Sequence, residues 1–500
     1  MAQGRKKTER QESMWIATSD LPVTAGHPFY SKLNEIFDKH GFDKYVDELA
    51  APFYKEGGRP GIPVGDYFRM MMIGFFEGLG SEREIAFRVA DSLSLRFFLG
   101  LGLSDPTPDH SSLSVIRHRL SEEVHQQVFQ FVLTILAREG QLRGKTLGID
   151  ATTVEANAAL RELQRKDTKE RYDEYVKRLA EAAGEPASTP EEVARFDRKR
   201  KGKKCSNEEY GHPHDPDARI GRDKHGATDM LYKMEKTDDL DTGAIVSVTI
   251  QTADTGDTTS IVETLLQAEE NLSAVLEDEQ VADAKVVGKE VEEIVDTLSQ
   301  AEENLPAALE DERAAEVMVV NEVVEEVAGD KGYHSNGTCR LSELSGLRTY
   351  FSEPERGTRN WEGKEKERKA VYANRRRIRS HRGKRLRKLR AEHSERNFAH
   401  LCDTGGQRRT FLRGLVNVAK KALIGAMGFN VSLLLRKVFK LRKPRQLEAC
   451  GGDHMSSYSL FSVSFWPCRR ILGVTDGFCH DFMKFTGFPN LSQERVPAAA

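Results

Sequence analysis

Lys145-Thr-Leu-Gly-Ile-Asp-Ala-Thr-Thr-Val154 is the stretch on which the fold turns. It reads as a short buried strand that ends at a carboxylate, Asp150. The texture of the chain changes here. Upstream, residues 13–140 read as helical. Tyr67 to Leu79 is apolar, Ser81 with Glu84 forms a capping box, and Ser121 opens a helix through Val124, Val128, Phe131, Val132 and Ile135. Two helices, roughly 81–91 and 109–120, flank the turn-rich 100–108, a spacing too long for a compact helix-turn-helix.

Downstream, residues 160–225 are charged and broken by Pro and Gly, and read as a helical insertion followed by a loop. Leu231-Tyr-Lys-Met-Glu235 and Ala244 to Ile250 are strand-like and are joined by the turn Asp239–Gly243. Further strands are expected at Val323–Ala328, ending at Asp330, and at Arg348–Phe351; a long helical stretch then runs to about 441, where Pro444 closes it. The pattern predicts an α/β protein with an all-helical N-terminal domain over 1–140, a mixed-sheet core with flanking helices over 141–440, and a tail over 441–500 with no clear period.

Between the strands lies a tandem repeat. The sequence 261–279 returns at 294–312, an offset of 33 residues, and the acidic segment 261–327 contains both copies. Two copies are too few for a solenoid. Pro306 replaces Ser273, so the copies are not equally good helices, and one is expected in the core with the other displayed outside it.

The net charge of −3 conceals this segment, which holds 20 Asp/Glu against 3 Lys/Arg. The remainder of the 500 residues is strongly basic, and 364–396 alone carries 15 Lys/Arg against 4 Asp/Glu. A clustered basic stretch is the electrostatic footprint of a polyanion. The longest apolar run, Ala422 to Leu435, is shorter than the about 18–20 residues of a membrane span, and Met1 to Glu12 has no apolar leader region. The six cysteines show no C-x-x-C spacing, which fits reduced thiols in a cytoplasm rather than a disulfide framework or zinc ribbon.

Gly140-Gln-Leu-Arg-Gly-Lys-Thr146 imitates a phosphate loop, but it has three residues between its glycines and precedes a strand. The stronger chemistry lies in three acids: Asp150 and Asp330 at strand ends, and Glu395 on a helix after the basic run. Carboxylates at close quarters repel one another unless a cation neutralises them, and hard oxygen ligands suit Mg2+ or Mn2+. Two such ions about 3.5–4 Å apart clamp the attacking and leaving oxygens of a phosphoryl displacement.

Gly148 to Asn157, Asp330-Lys-Gly-Tyr-His-Ser335 and Glu395-Arg-Asn-Phe-Ala-His400, followed by Gly405-Gly-Gln-Arg-Arg409 and Leu412-Arg-Gly-Leu415, resemble the three acidic blocks of bacterial insertion-sequence transposases of the DDE class. Pro63 to Leu120 resembles their helical N-terminal domain. The resemblance covers roughly 30–440. It implies an RNase-H-like catalytic core, with Asp150, Asp330 and Glu395 as ligands of a pair of Mg2+ or Mn2+ ions. It also implies metal-dependent strand cleavage and transfer at terminal inverted repeats, double-stranded DNA (transposon ends and target) as the partner, and a homo-oligomer on that DNA. One departure stands out. Related elements often carry an arginine four residues before the glutamate and a lysine about seven after it; here these are Ala391 and Cys402, with Arg390 one place off.

Arg375, Arg376, Arg377, Arg379, Arg382, Lys384 and Arg396 are the expected DNA contacts, with Tyr333, His334 and Trp361 as further candidates, the last by stacking on a flipped base. Asp257 reads as a helix cap, and Asp239 and Asp241 as turn residues. Two rival readings stand beside this one: a two-metal nuclease on the same fold, and an inactive DNA-binding remnant disabled by the duplication.

Overall fold

Ser81, Asp109 and Ser121 each cap a helix, and these caps punctuate the N-terminal third. In the computed structural model, which describes residues 27–444 except 56, 58–60, 186–188, 201–205, 224–225, 284–322, 356 and 358, seven α-helices precede the first strand. They are α1 (Pro28–His40), α2 (Phe42–Ala50), α3 (Val64–Glu77), α4 (Glu82–Ala90), α5 (Leu93–Phe98), α6 (His110–Arg119) and α7 (Glu122–Arg138). Ser81 and Glu84 form the reciprocal capping box of α4, Asp109 accepts from Ser111 N–H at the start of α6, and Ser121 accepts from Val124 N–H at the start of α7. The segment between α4 and α6 is more than a turn. Ser92 caps the short α5, which buries Leu95 and Phe98.

The strand that opens the second part is β1 (Thr146–Glu155). There follow β2 (Gln164–Arg165), α8 (Tyr172–Ala182), α9 (Pro190–Lys199), β3 (Tyr210–Gly211), β4 (Arg219–Arg222), β5 (Thr228–Asp239), β6 (Ile245–Thr252) and α10 (Asp257–Asp283). Then come β7 (Glu326–Gly329), α11 (Asn336–Leu344), β8 (Arg348–Phe351), α12 (Glu365–Arg379), α13 (His381–Phe398) and α14 (Leu415–Val438). The first repeat copy begins within α10, where Ile261, Ala268 and Leu272 are buried; the second copy, at 294–312, lies outside the described residues.

Two expectations are corrected. The loop expected after the insertion supplies β4, which adds an edge strand to β5. The single long helical stretch is broken at Ser380, whose hydroxyl caps α13, and again over 404–414, where Gly406 and Gly414 take positive φ.

The main sheet has the order β4-β5-β1-β7-β8, with β6 also paired to β5. β6, β5 and β1 run antiparallel; β1, β7 and β8 are parallel. This is a mixed sheet with helices on both faces, the architecture the resemblance implies. Leu147, Ile149, Val246 and Val327 face α10, α11 and α12, whereas Ala328, Leu240 and Tyr350 meet Leu386 of α13 on the other face. α14 packs against α3, α7 and β6, so helices from before β1 share one apolar core with the sheet. Its length and hydropathy would allow a membrane span, but 89% of the apolar window is buried inside the protein.

Candidate catalytic site

Pairing along β1 decides where the acids stand. Gly148 is opposite Ala328 in the parallel β1–β7 ladder, so Asp150 and Asp330, two residues further on, come level. Asp330 follows the last residue of β7, but β1 does not end at Asp150 as expected: its pairing with β5 carries it on to Glu155. Both acids, Asp150 and Asp330, are half-buried. Residues 146, 148 and 150 of β1 and 326 and 328 of β7, with 330 next in the series just past the strand, share the face covered by α13, because strand side chains alternate. Arg382, Leu386 and Arg390 climb that face one helical turn apart. Arg382 ion-pairs with Glu326, Leu386 packs on Ala328, and Arg390 Nη1 lies 2.9 Å from Asp150 Oδ2.

Gly148 makes this contact possible. A methyl group there would stand 2.7 Å from Leu240 Cδ2 and 3.1 Å from Arg390 Cγ, so any larger residue would press on both side chains. Burial lifts the Asp150 carboxyl above the ordinary aspartate value, and the nearby Asp330 carboxylate pushes the same way; Arg390 and Lys236 pull against them. Asp330 Oδ1 accepts the Gly332 N–H at 2.8 Å.

Glu395 does not join this pair. It is exposed, off the row formed by positions 382, 386 and 390, and among the described residues no three His, Cys, Asp or Glu side chains converge on a point suited to a metal ion. What comes up against the Asp330 loop is Asp257, whose carboxylate would collide with any side chain at Gly332. Asp257 is the first residue inside α10, where a cap is expected, and its carboxylate receives Lys233 Nζ at 2.6 Å.

Strand β5 carries charges that sequence reading alone passes over. Lys236 stands opposite Asp150 in the β1–β5 ladder, is fully buried and ion-pairs with Asp238. Asp238 also accepts from Asn397 Nδ2 at 2.9 Å, and the Lys236 ammonium sits 4.3 Å from the centre of the Phe398 ring. On the opposite face, buried Glu235 accepts from Ser260, Thr264 and Tyr333 hydroxyls. A signal is present in the sequence: Lys233 with Glu235, and Lys236 with Asp238, are opposite charges two apart, one pair on each face.

Several expected DNA contacts are corrected. Tyr333 and His334 are buried at 1% exposure each, and the Tyr333 hydroxyl is spent on Glu235 at 2.9 Å, so neither presents itself to a duplex. Trp361 is half-buried, edge-on to Tyr372 and beneath Arg359. Among the basic residues, Arg375 forms a two-pronged pair with Glu353, whose carboxyl it holds below the usual range. Arg377 donates to Thr349, Arg382 is held by Glu326, and Arg396 contacts His393 and Glu392. These arginines staple helices to β8, β7 and one another, and the acidic partners of Arg375 and Arg382 are distant in sequence. Arg376, Arg379 and Lys384 reach solvent, as do Arg385, Arg387 and Lys388 beyond them.

Residues 19–119 match the transposase domain (DUF772), and residues 352–435 match the transposase DDE domain. Neither a curated protein nor a solved structure matches the chain.

Proposed function

Because the chain belongs to the insertion-sequence transposases of the DDE type, a family that typically uses a divalent metal, we propose that it cuts and joins DNA strands at the terminal inverted repeats of its element. The observation that supports this is the level placement of Asp150, within β1, and Asp330, just past the end of the parallel β7, beneath a strongly basic helix. Two half-buried carboxylates that repel each other fit a hard divalent cation, Mg2+ or Mn2+, and these two residues would hold it. Bound there, the cation would polarise a phosphodiester and ease the departure of its leaving oxygen. The three-carboxylate, two-ion arrangement is not assembled among the described residues, since Glu395 lies outside and Arg390 occupies one side of Asp150.

The chain's own contribution is to orient DNA. Phosphates would lie along Arg376, Arg379 and Lys384, and the partner is double-stranded DNA, both element end and target. We place the protein in the cytoplasm, acting as a homo-oligomer on DNA. A strand-transfer assay with end-sequence DNA and Mg2+ tests the function. Joined products support transposition; hydrolysis alone supports a nuclease; binding with neither supports an inactive remnant.

The basic face has its own test. Replacing Arg376, Arg379 and Lys384 together by alanine is expected to weaken duplex binding and to lower the slope of log affinity against log salt by about 2.7, roughly 0.9 for each phosphate no longer neutralised. Arg375→Ala should leave that slope unchanged, since its guanidinium is engaged with Glu353. Equal slopes for wild type and the triple variant would remove these three side chains from the DNA face.

A further inference from the structure

The two level acids are not equivalent. Asp150 Oδ1 accepts the Ala151 N–H at 3.0 Å, and its Oδ2 lies 2.9 Å from Arg390 Nη1. Asp330 takes the Gly332 N–H on Oδ1, and among the described residues no basic side chain forms an ion pair with it. A divalent ion that bridges the two carboxylates must therefore take the very oxygen that Arg390 holds. Guanidinium and metal ion compete for one atom.

Arg390 is incompletely used where it stands. Its side chain is 14% exposed, its contact with Asp150 is its one ion pair among the described residues, and its Nε is buried there without a hydrogen-bond partner. A guanidinium carries five N–H donors. Two turns earlier on the same row, Arg382 gives the contrast. It reaches Glu326 through two nitrogens, and Glu326 also accepts from the Thr146 and Tyr350 hydroxyls. Arg382 is built in as a staple, and Arg390 is not. A buried donor without an acceptor is costly, so a move that satisfies it is favoured. Arg387, one turn before Arg390, already reaches solvent on the helix along which DNA is proposed to lie. A phosphate offers a guanidinium two acceptors at once.

We propose that Arg390 is a placeholder for the metal ion. It neutralises Asp150 while the protein is free of DNA. When a duplex binds, it passes to a phosphate and opens Asp150 Oδ2 to Mg2+ or Mn2+. Arg390 is thus a positioning residue that acts through Asp150. The inference rests on the reading of Asp150 and Asp330 as metal ligands. Its consequence is linkage: duplex and metal ion strengthen each other's binding by one and the same factor. The chain then loads its metal ion chiefly where there is DNA to act on.

The test titrates Mn2+ into the full chain and reads bound against free ion by electron paramagnetic resonance, with and without a short duplex. An adjacent opposite charge changes a carboxylate's affinity for a proton by about 10–1,000-fold, and a divalent ion should feel at least the lower figure. Arg390→Met keeps the stem that lies over Gly148 and removes the charge. Without DNA it is expected to bind Mn2+ at least about tenfold more tightly than wild type. Arg390→Lys, which keeps the charge, should stay near wild type. In wild type the duplex should raise Mn2+ affinity by about tenfold, a usual size for coupled sites, and in Arg390→Met that gain should largely vanish. A purely structural role for Arg390 predicts the opposite sign, since lost packing would weaken the site. Mn2+ should also raise the melting temperature of Arg390→Met more than that of wild type. Equal Mn2+ affinity for wild type and Arg390→Met, equal gain from the duplex in both, or an Arg390→Lys as tight as Arg390→Met would overturn the inference and leave the metal site standing. Wild type alone can fail the test, because a duplex that leaves its Mn2+ affinity unchanged overturns the inference without any variant. Adding Asp150→Asn to Arg390→Met should abolish the tight binding. If tight binding survives that change, or if neither wild type nor Arg390→Met binds Mn2+ with or without duplex, the reading of Asp150 as a ligand falls and the inference with it.

Discussion

Asp330→Asn is expected to abolish Mg2+- or Mn2+-dependent cleavage while leaving DNA affinity and folding intact. The amide keeps an oxygen for the Gly332 N–H that Asp330 Oδ1 now accepts. It removes the charge that pushes against Asp150, so the fold loses no stabilising pair. What disappears is half of the two-carboxylate cation site proposed above. Altering an outer-shell partner of a metal ligand already costs about 10–100-fold, and removing a ligand should exceed that. DNA affinity rests on phosphate contacts elsewhere and should not move. Cleavage and filter binding measured on the same preparation decide the matter; an unchanged cleavage rate would take Asp330 out of the site.

Lys236→Met is expected to destabilise the protein by about 3–5 kcal/mol, the usual effect of stranding a buried charge. Both Lys236 and Asp238 are fully buried, so no water screens the pair or takes over when one member goes. Methionine fills much of the lysine stem's volume and can still rest on Phe398, so the loss is electrostatic rather than a cavity. The double variant Lys236→Met, Asp238→Leu should recover part of that loss, because no charge is then left alone. Full recovery is not expected, since Ser394 and Asn397 would be deprived of their acceptor. Urea denaturation at constant slope measures both. A single variant within about 0.5 kcal/mol of wild type would show that the pair contributes little.

Reading the sequence reaches the elements and misses the pairings. β8 lies where it is expected, at Arg348–Phe351, because a short apolar run between turns leaves few alternatives. The caps at Ser81, Asp109 and Ser121 are legible for the same local reason. Asp330 is legible as a strand end, whereas the strand through Asp150 runs on to Glu155 because β5 pairs with it that far; register then sets the two acids side by side. Glu395 rests on its motif alone, and a motif does not say which side of a helix faces the sheet. That is decided by the row 382, 386, 390 and by what it meets across the strands. The basic run carries the same ambiguity. Counting its arginines cannot separate those held by Glu353 and Glu326 from those that reach solvent, since the acids lie far away in the chain.

The placement of α14 has a consequence for how such a gene can change. Its residues complete the interior both for helices encoded near the beginning and for a strand encoded in the middle. A recombination event that exchanged the front third for that of a distant relative would have to bring a compatible last helix with it, or leave apolar surface bare at both junctions. The exterior is therefore expected to change through point substitutions, not through the shuffling of interchangeable cassettes. A chimera with a foreign front third and the native final helix should be recovered as aggregate, and coexpressing the donor's own final helix should not rescue it unless the middle strand is changed as well.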